Sequence, residues 1–80
     1  MPRYYFDVHD AQGVHPDEVG LEFSDMNAAI AEARRALADM TRESIMADSE
    51  TDLSIVIRDG KEGPVNLMVT MTTERPDERA

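Results

Sequence analysis

Residues 24–46 read SDMNAAIAEARRALADMTRESIM, and this run decides the fold because it predicts the main helix of the chain. Ser24 or Asp25 is the expected cap, since each offers a side-chain oxygen to the free N–H groups of a first helical turn. Apolar and small residues recur at three- and four-residue steps and define one face. That face holds Ala29, Ile30, Ala33, Ala36, Leu37, Met40 and Ser44. The run therefore predicts an amphipathic helix that ends near Met46.

Four stretches with alternating apolar residues flank this run and predict strands: 3–9, 14–23, 53–58 and 65–72. The second is the weakest, because Pro16 cannot donate a ladder hydrogen bond and Gly20 loosens the interior. We expect its ordered part to lie near 19–23 and to turn Leu21 and Phe23 towards the core. The other inward residues are expected to be Tyr4, Phe6, Val8, Leu53, Ile55, Ile57, Val65, Leu67, Val69 and Met71.

The order strand, strand, helix, strand, strand predicts an α+β fold, a two-layer β-β-α-β-β sandwich with one helix on a four-stranded antiparallel sheet. Prolines favour sheet edges, and Pro16 and Pro64 mark the second and fourth strands, so we expect the order 2-1-3-4. Segments 47–52 and 59–63 read as a loop and a hairpin turn. Residues 1–73 are expected to form one domain, and the charged segment 74–80 a disordered acidic tail.

Composition limits the possible partners of the chain. Its 80 residues include 17 acidic and 8 basic side chains, for a formal charge of −9, and no cysteine. Binding to nucleic acids or anionic membranes depends on Lys and Arg, so this balance argues against both. The absence of cysteine excludes disulfides and thiol chemistry. No signal-peptide pattern and no apolar run of about 20 residues is present, so we expect a cytoplasmic protein.

Two constellations of polar residues are candidates for chemistry. His9, His15 and Asp17 could hold a divalent metal if a hairpin brought them together, but their spacing matches no ligand motif, and exposed loop polarity is the preferred interpretation. Asp7 could orient His9 as a general base, with Ser54 on the adjacent predicted strand. That set lacks a pocket and an oxyanion site. We therefore expect neither an enzyme nor a cofactor, and keep a metal-dependent or acid–base enzyme as an alternative.

The sheet face opposite the helix is the feature that most favours a function. It is predicted to show Tyr5, Val56 and Met68 among polar residues such as Asn66 and Thr70. Apolar surface ringed by polar groups often marks a contact site, and a long uncharged edge strand tends to be paired. The alternative is three ordinary, scattered apolar side chains. We predict an interaction module that forms a homodimer or another homo-oligomer, or that binds another protein.

Two motifs resemble known families. The opening MPRYYFDVHD (1–10), together with GLEFSD (20–25) before an alanine-rich helix, resembles short bacterial proteins catalogued only as a domain of unknown function. That resemblance supports the fold and implies no catalytic residues. Phe23-Ser24-Asp25 and the alanine-rich run 28–37 are also similar to HicB-type antitoxins, which implies a protein that blocks a partner protein. The glycine-cysteine turn and the C-terminal DNA-binding segment of those antitoxins are missing here.

Overall fold

One helix lies across an antiparallel sheet in the computed structural model, which describes residues 1–47, 51–60 and 63–76. The α+β fold with one helix on an antiparallel sheet, as predicted, is confirmed. Its elements are β1 (Arg3–Asp10), β2 (Gly13–His15), β3 (Leu21–Glu22), α1 (Met26–Met46), β4 (Thr51–Arg58) and β5 (Val65–Met71).

The strands run in the spatial order β2-β1-β4-β5, and β3 also pairs with β1. β2 pairs with Val8–Asp10 and β3 with Arg3–Tyr4, so the two share one edge of β1. The sheet is therefore four strands wide although it contains five strands, and its order agrees with the predicted 2-1-3-4. β1 and β4 are central, and β5 lies at the far edge.

The predicted second strand is the main correction to the fold. A single strand over 19–23 was wrong, because two short strands occupy Gly13–His15 and Leu21–Glu22. Pro16 lies just after the first of them and has no N–H for a ladder. Leu21 pairs with the buried Tyr4 and so lies on the helix side of the sheet, as expected, but its side chain is 55 % exposed. β3 is the outermost strand at this end of the described sheet, so the core does not cover Leu21.

Helix α1 begins and ends where the sequence predicted. Asp25 is the N-cap, and its Oδ1 accepts a hydrogen bond of 2.9 Å from the N–H of Ala28. Ala29, Ala33 and Leu37 are buried against the sheet, where they meet Tyr4, Leu53, Ile55 and Ile57. Small alanines let the helix axis approach the strands closely. Within the described residues, no helix has both the length and the apolar character needed to cross a membrane.

Several predictions concern segments at or beyond the limits of the described residues. Of the expected loop 47–52, residues 51 and 52 begin β4, while 48–50 lie outside the described residues. Residues 61–62 of the expected hairpin turn and residues 77–80 of the expected tail also lie outside the described residues. The domain boundary at residue 73 stays a prediction.

Candidate functional site

Residues 16–20 bridge the gap between β2 and β3, and one carboxylate holds them in place. Asp17 Oδ2 accepts a hydrogen bond of 3.0 Å from the backbone N–H of Phe6 on β1. Its Oδ1 accepts two more of 3.0 Å, from the N–H groups of Val19 and Gly20. Along the edge of β1, this carboxylate supplies the acceptor that a continuous partner strand would have provided. The loop is therefore pinned to the sheet by a side chain.

A salt bridge on the face opposite the helix joins this loop to β4. Arg58 Nε and Nη2 donate to the carboxylate of Asp7 at 2.6 and 3.1 Å, in the two-pronged geometry typical of strong Arg–carboxylate pairs. The N–H of Asp17 donates to Asp7 Oδ1 at 2.9 Å, and Arg58 Nη2 donates to the Asp17 carbonyl at 3.2 Å. We call Asp7, Asp17 and Arg58 the Asp17 clasp. It links β1, the 16–20 loop and β4.

The clasp holds both of its carboxylates in the ionised form. The hydrogen bond from Arg58 lowers the pKa of Asp7 below 3.8 and outweighs the opposing effect of burial. Burial acts to raise the pKa of Asp17, but the N–H groups of Gly20, Phe6 and Val19 lower it by more. Both groups have their oxygens engaged by donors within the fold. The arrangement is suited to holding the loop in place. Both oxygens of the Asp7 carboxylate accept hydrogen bonds from Arg58.

Gly20 lets the loop close against β1. Its φ is +74°, a left-handed backbone conformation that residues with a Cβ rarely adopt. An added Cβ would lie 2.9 Å from Arg3 Cγ, from the Tyr4 carbonyl oxygen and from Tyr5 Cε2. The carbonyl belongs to the sheet and cannot move aside easily. Glycine at this position is therefore required by both conformation and space.

The proposed metal ligands are not brought together. In the β1–β2 hairpin, His9 pairs with Val14, whereas His15 pairs with Val8, so the two imidazoles lie on opposite faces. His15 Nε2 lies 3.2 Å from Asp10 Oδ1, and Asp17 is engaged in the clasp. In the part of the chain that the structure describes, no group of three or more His, Cys, Asp or Glu is placed to hold a metal ion.

The possible catalytic set is only partly assembled. His9 and Ser54 lie on adjacent strands, as the sequence predicted, and the register makes them direct cross-strand partners. Asp7 lies on the same face but pairs across the strands with Val56, and its carboxylate binds Arg58. Nothing in this geometry directs that carboxylate towards the imidazole, so the arrangement gives no specific support to acid–base chemistry.

The open sheet face is more polar at its centre than the sequence suggested. Tyr5 is half-buried, and the guanidinium of Arg58 lies 5.2 Å from its ring centroid, a cation–π contact. Val56 is also half-buried, between Asp7 and Asn66 in register. Met68 is 69 % exposed, and Asn66 and Thr70 beside it on β5 are exposed. The exposed apolar side chains of this face are thus at its two ends, Met68 on β5 and Val14 on β2, which is 57 % exposed.

A groove of about 670 Å³ runs between α1 and β5, and the sequence analysis did not anticipate it. Its floor is formed by Leu67, Met68 and Val69. Leu67 and Val69 point towards the helix and Met68 to the opposite face, so the groove opens at the edge of β5. Its wall is the C-terminal half of α1, with Arg34, Leu37, Ala38, Thr41, Arg42 and Ile45. The repeat at 34, 38, 41 and 45 is the sequence signal that could have revealed it.

The chemistry of this groove differs from that of the chain as a whole. Among the described residues, two arginines and no carboxylate line it, although acidic residues outnumber basic ones 17 to 8 in the whole sequence. Ile45 is 54 % exposed at its end. Thr41 Oγ1 is buried and has no hydrogen-bond partner in the described structure. Buried hydroxyls are normally satisfied, so this atom is an exception among the described residues.

Comparisons with known proteins identify a family and no activity. A family model described as a domain of unknown function, DUF6894, matches residues 3–72. This confirms the resemblance that the opening motif and the 20–25 motif indicated. No curated protein and no solved structure matches the chain. The similarity to HicB-type antitoxins therefore receives no support.

Proposed function

We propose that this chain, which belongs to the DUF6894 family of domains of unknown function, is a non-enzymatic interaction module that self-associates through the edge of β5. The partner is a second copy of the chain. The uncharged, uncovered edge of β5 carries the proposal. The open sheet face contributes only where it adjoins that edge, at Met68.

The two edges of the sheet differ in how they meet solvent. β5 is seven residues long, contains no charged residue and pairs with β4 on one side only within the described residues. An exposed edge strand of this kind tends to pair with a strand of another chain, and monomeric proteins usually protect such edges with charged residues, proline or short strands. The opposite edge has those protections, because β2 and β3 are three and two residues long and Pro16 lies between them. β5 is therefore the edge available to a partner.

Charge restricts where two copies can meet. Each carries a formal charge of −9, so most surfaces repel their own copy. Strand β5 contains no charged residue, and the described residues that line the adjoining groove include Arg34 and Arg42 but no acid. This is the region where two identical acidic chains approach with the least repulsion.

Sedimentation equilibrium over a tenfold range of micromolar concentrations tests the proposal. The wild-type chain is expected to shift from monomer towards dimer. Met68→Asp places a charge at the β5 edge and should move the midpoint to at least tenfold higher concentration. Val19→Asp is the matched control, because Val19 is a 76 % exposed apolar residue on the opposite side of the sheet. A wild-type chain that stays monomeric up to high micromolar concentration would refute self-association.

A further inference from the structure

We infer that the groove between α1 and β5 binds a small anionic amphiphile, a free carboxylic acid with an alkyl chain of medium length. The site lies within a single chain and does not require self-association. Two features of the groove meet in one place and fit such a ligand: arginines without a carboxylate partner, and an apolar lining that is open to solvent.

The two arginines of the groove are free to bind an anion. Arg3, Arg35 and Arg58 each form a salt bridge with an acidic side chain of the same chain. Arg34 and Arg42 form none with any other described residue, although acidic residues outnumber basic ones 17 to 8 in the sequence. Both are exposed and both line the groove. The positive charge at this site is therefore available to a ligand.

The spacing of these arginines along α1 suits one shared carboxylate. Arg34, Ala38 and Arg42 follow each other in steps of four residues, so their Cβ atoms are about 5–6 Å apart from one to the next. The small side chain of Ala38 leaves room between the two guanidinium groups, which bind carboxylates strongly. The acidic residues of α1 lie about 100–140° around the helix axis from Ala38: Glu32, Asp39 and Glu43.

The remainder of the groove is suited to the alkyl chain. Leu37 on the helix and Leu67 and Val69 on β5 line it, and Ile45 is 54 % exposed at its C-terminal end. A chain that runs from Ala38 towards Ile45 removes this apolar surface from water, which stabilises the complex. The volume of about 670 Å³ lies within the roughly 300–1,000 Å³ of small-molecule sites.

The size of the groove favours a single alkyl chain over a helix from another molecule. Its helical wall spans residues 34–45, about 16 Å at 1.5 Å per residue. A helix of that length and about 10 Å across occupies about 1,300 Å³, roughly twice the volume of the groove. The ligand that matches both the volume and the charge is therefore a small amphiphilic anion.

An NMR titration of the backbone amide signals with decanoate tests the site. Two control ligands separate its features: 1-decanol has the same chain without the charge, and acetate has the carboxylate without the chain. The titration is run at a protein concentration at which sedimentation shows a monomer. We expect decanoate to shift the amides of residues 34–45 and 65–69, and to bind at least tenfold more tightly than either control ligand.

Single glutamine variants identify the residues that hold the carboxylate. Arg34→Gln and Arg42→Gln should each weaken decanoate binding at least threefold, because each removes one charged partner of the head. Arg35→Gln is the matched control, since it removes the same charge from the same helix outside the groove, and its effect should stay below twofold. Circular dichroism establishes that each variant is folded.

The outcomes separate this site from the proposed function. Absence of decanoate binding at millimolar concentration, equal binding of 1-decanol, or an equal loss in all three variants overturns the site. A chain that binds decanoate as expected but never dimerises overturns only the proposed self-association. A chain that dimerises but does not bind decanoate overturns only the site.

Discussion

Replacing Asp17 by alanine should destabilise the fold far more than its place in a surface loop suggests. The carboxylate accepts hydrogen bonds from Phe6, Val19 and Gly20, and the bonds to Phe6 and Gly20 are partly buried. Leaving a buried donor without an acceptor costs about 1–3 kcal/mol, whereas the exposed Val19 N–H can bond to water. We therefore expect a loss of about 2–4 kcal/mol in the free energy of unfolding, from a total of about 4–12 kcal/mol for 80 residues.

Urea unfolding at pH 7, followed by circular dichroism at one low protein concentration, measures this loss without a contribution from association. Glu18→Ala is the matched control, because it removes the same charge from the neighbouring exposed residue. Its effect should stay within about 0.5 kcal/mol. Equal effects of the two substitutions would show that the Asp17 clasp does not hold the loop, and would refute the reasoning.

The remaining predictions use the same unfolding assay. Gly20→Ala should cost about 2–4 kcal/mol, because it combines a left-handed φ with a clash against backbone. Gly60→Ala, with a φ of +83° but open space around the new Cβ, should cost only about 1 kcal/mol. If the two glycine substitutions cost the same, the close contact between residue 20 and the backbone of β1 would be contradicted. Asp25→Ala should cost about 1 kcal/mol and Ser24→Ala a few tenths, since Asp25 caps α1; the reverse order would be inconsistent with that cap. Stability should be constant above about pH 5 and fall as the pH drops through the lowered pKa values of the clasp carboxyls, below 3.8, because the unfolded chain binds those protons first. The Asp17→Ala variant should show a shallower decline in acid, and identical pH profiles would exclude the clasp as a cause.

The helix and the central strands could be predicted from sequence because local patterns determine them. The apolar spacing of 24–46 leaves one face to bury, and alternation in 53–58 and 65–71 leaves one side of each strand for the helix. Proline placement was enough to assign the edges of the sheet. Each of these signals involves only residues close together in the chain.

The clasp and the groove could not be predicted in the same way, because they depend on contacts between distant residues. Arg58 and Asp7 are 51 positions apart, and their contact requires the register of β1 against β4. Asp17 appeared to be a possible metal ligand, whereas its carboxylate replaces the acceptors of a missing strand. Leu21 was expected inside because alternation does not reveal that its strand is the outermost one.

Amide hydrogen exchange at two protein concentrations tests most directly whether the edge of β5 is the contact between copies. At low concentration, the amides of Val65–Met71 that point away from β4 should exchange rapidly. At high concentration they should slow at least tenfold, while the amides of β2 at the other edge stay unchanged. If β5 exchanges equally fast at both concentrations although sedimentation shows a dimer, the contact lies elsewhere and the central claim is wrong.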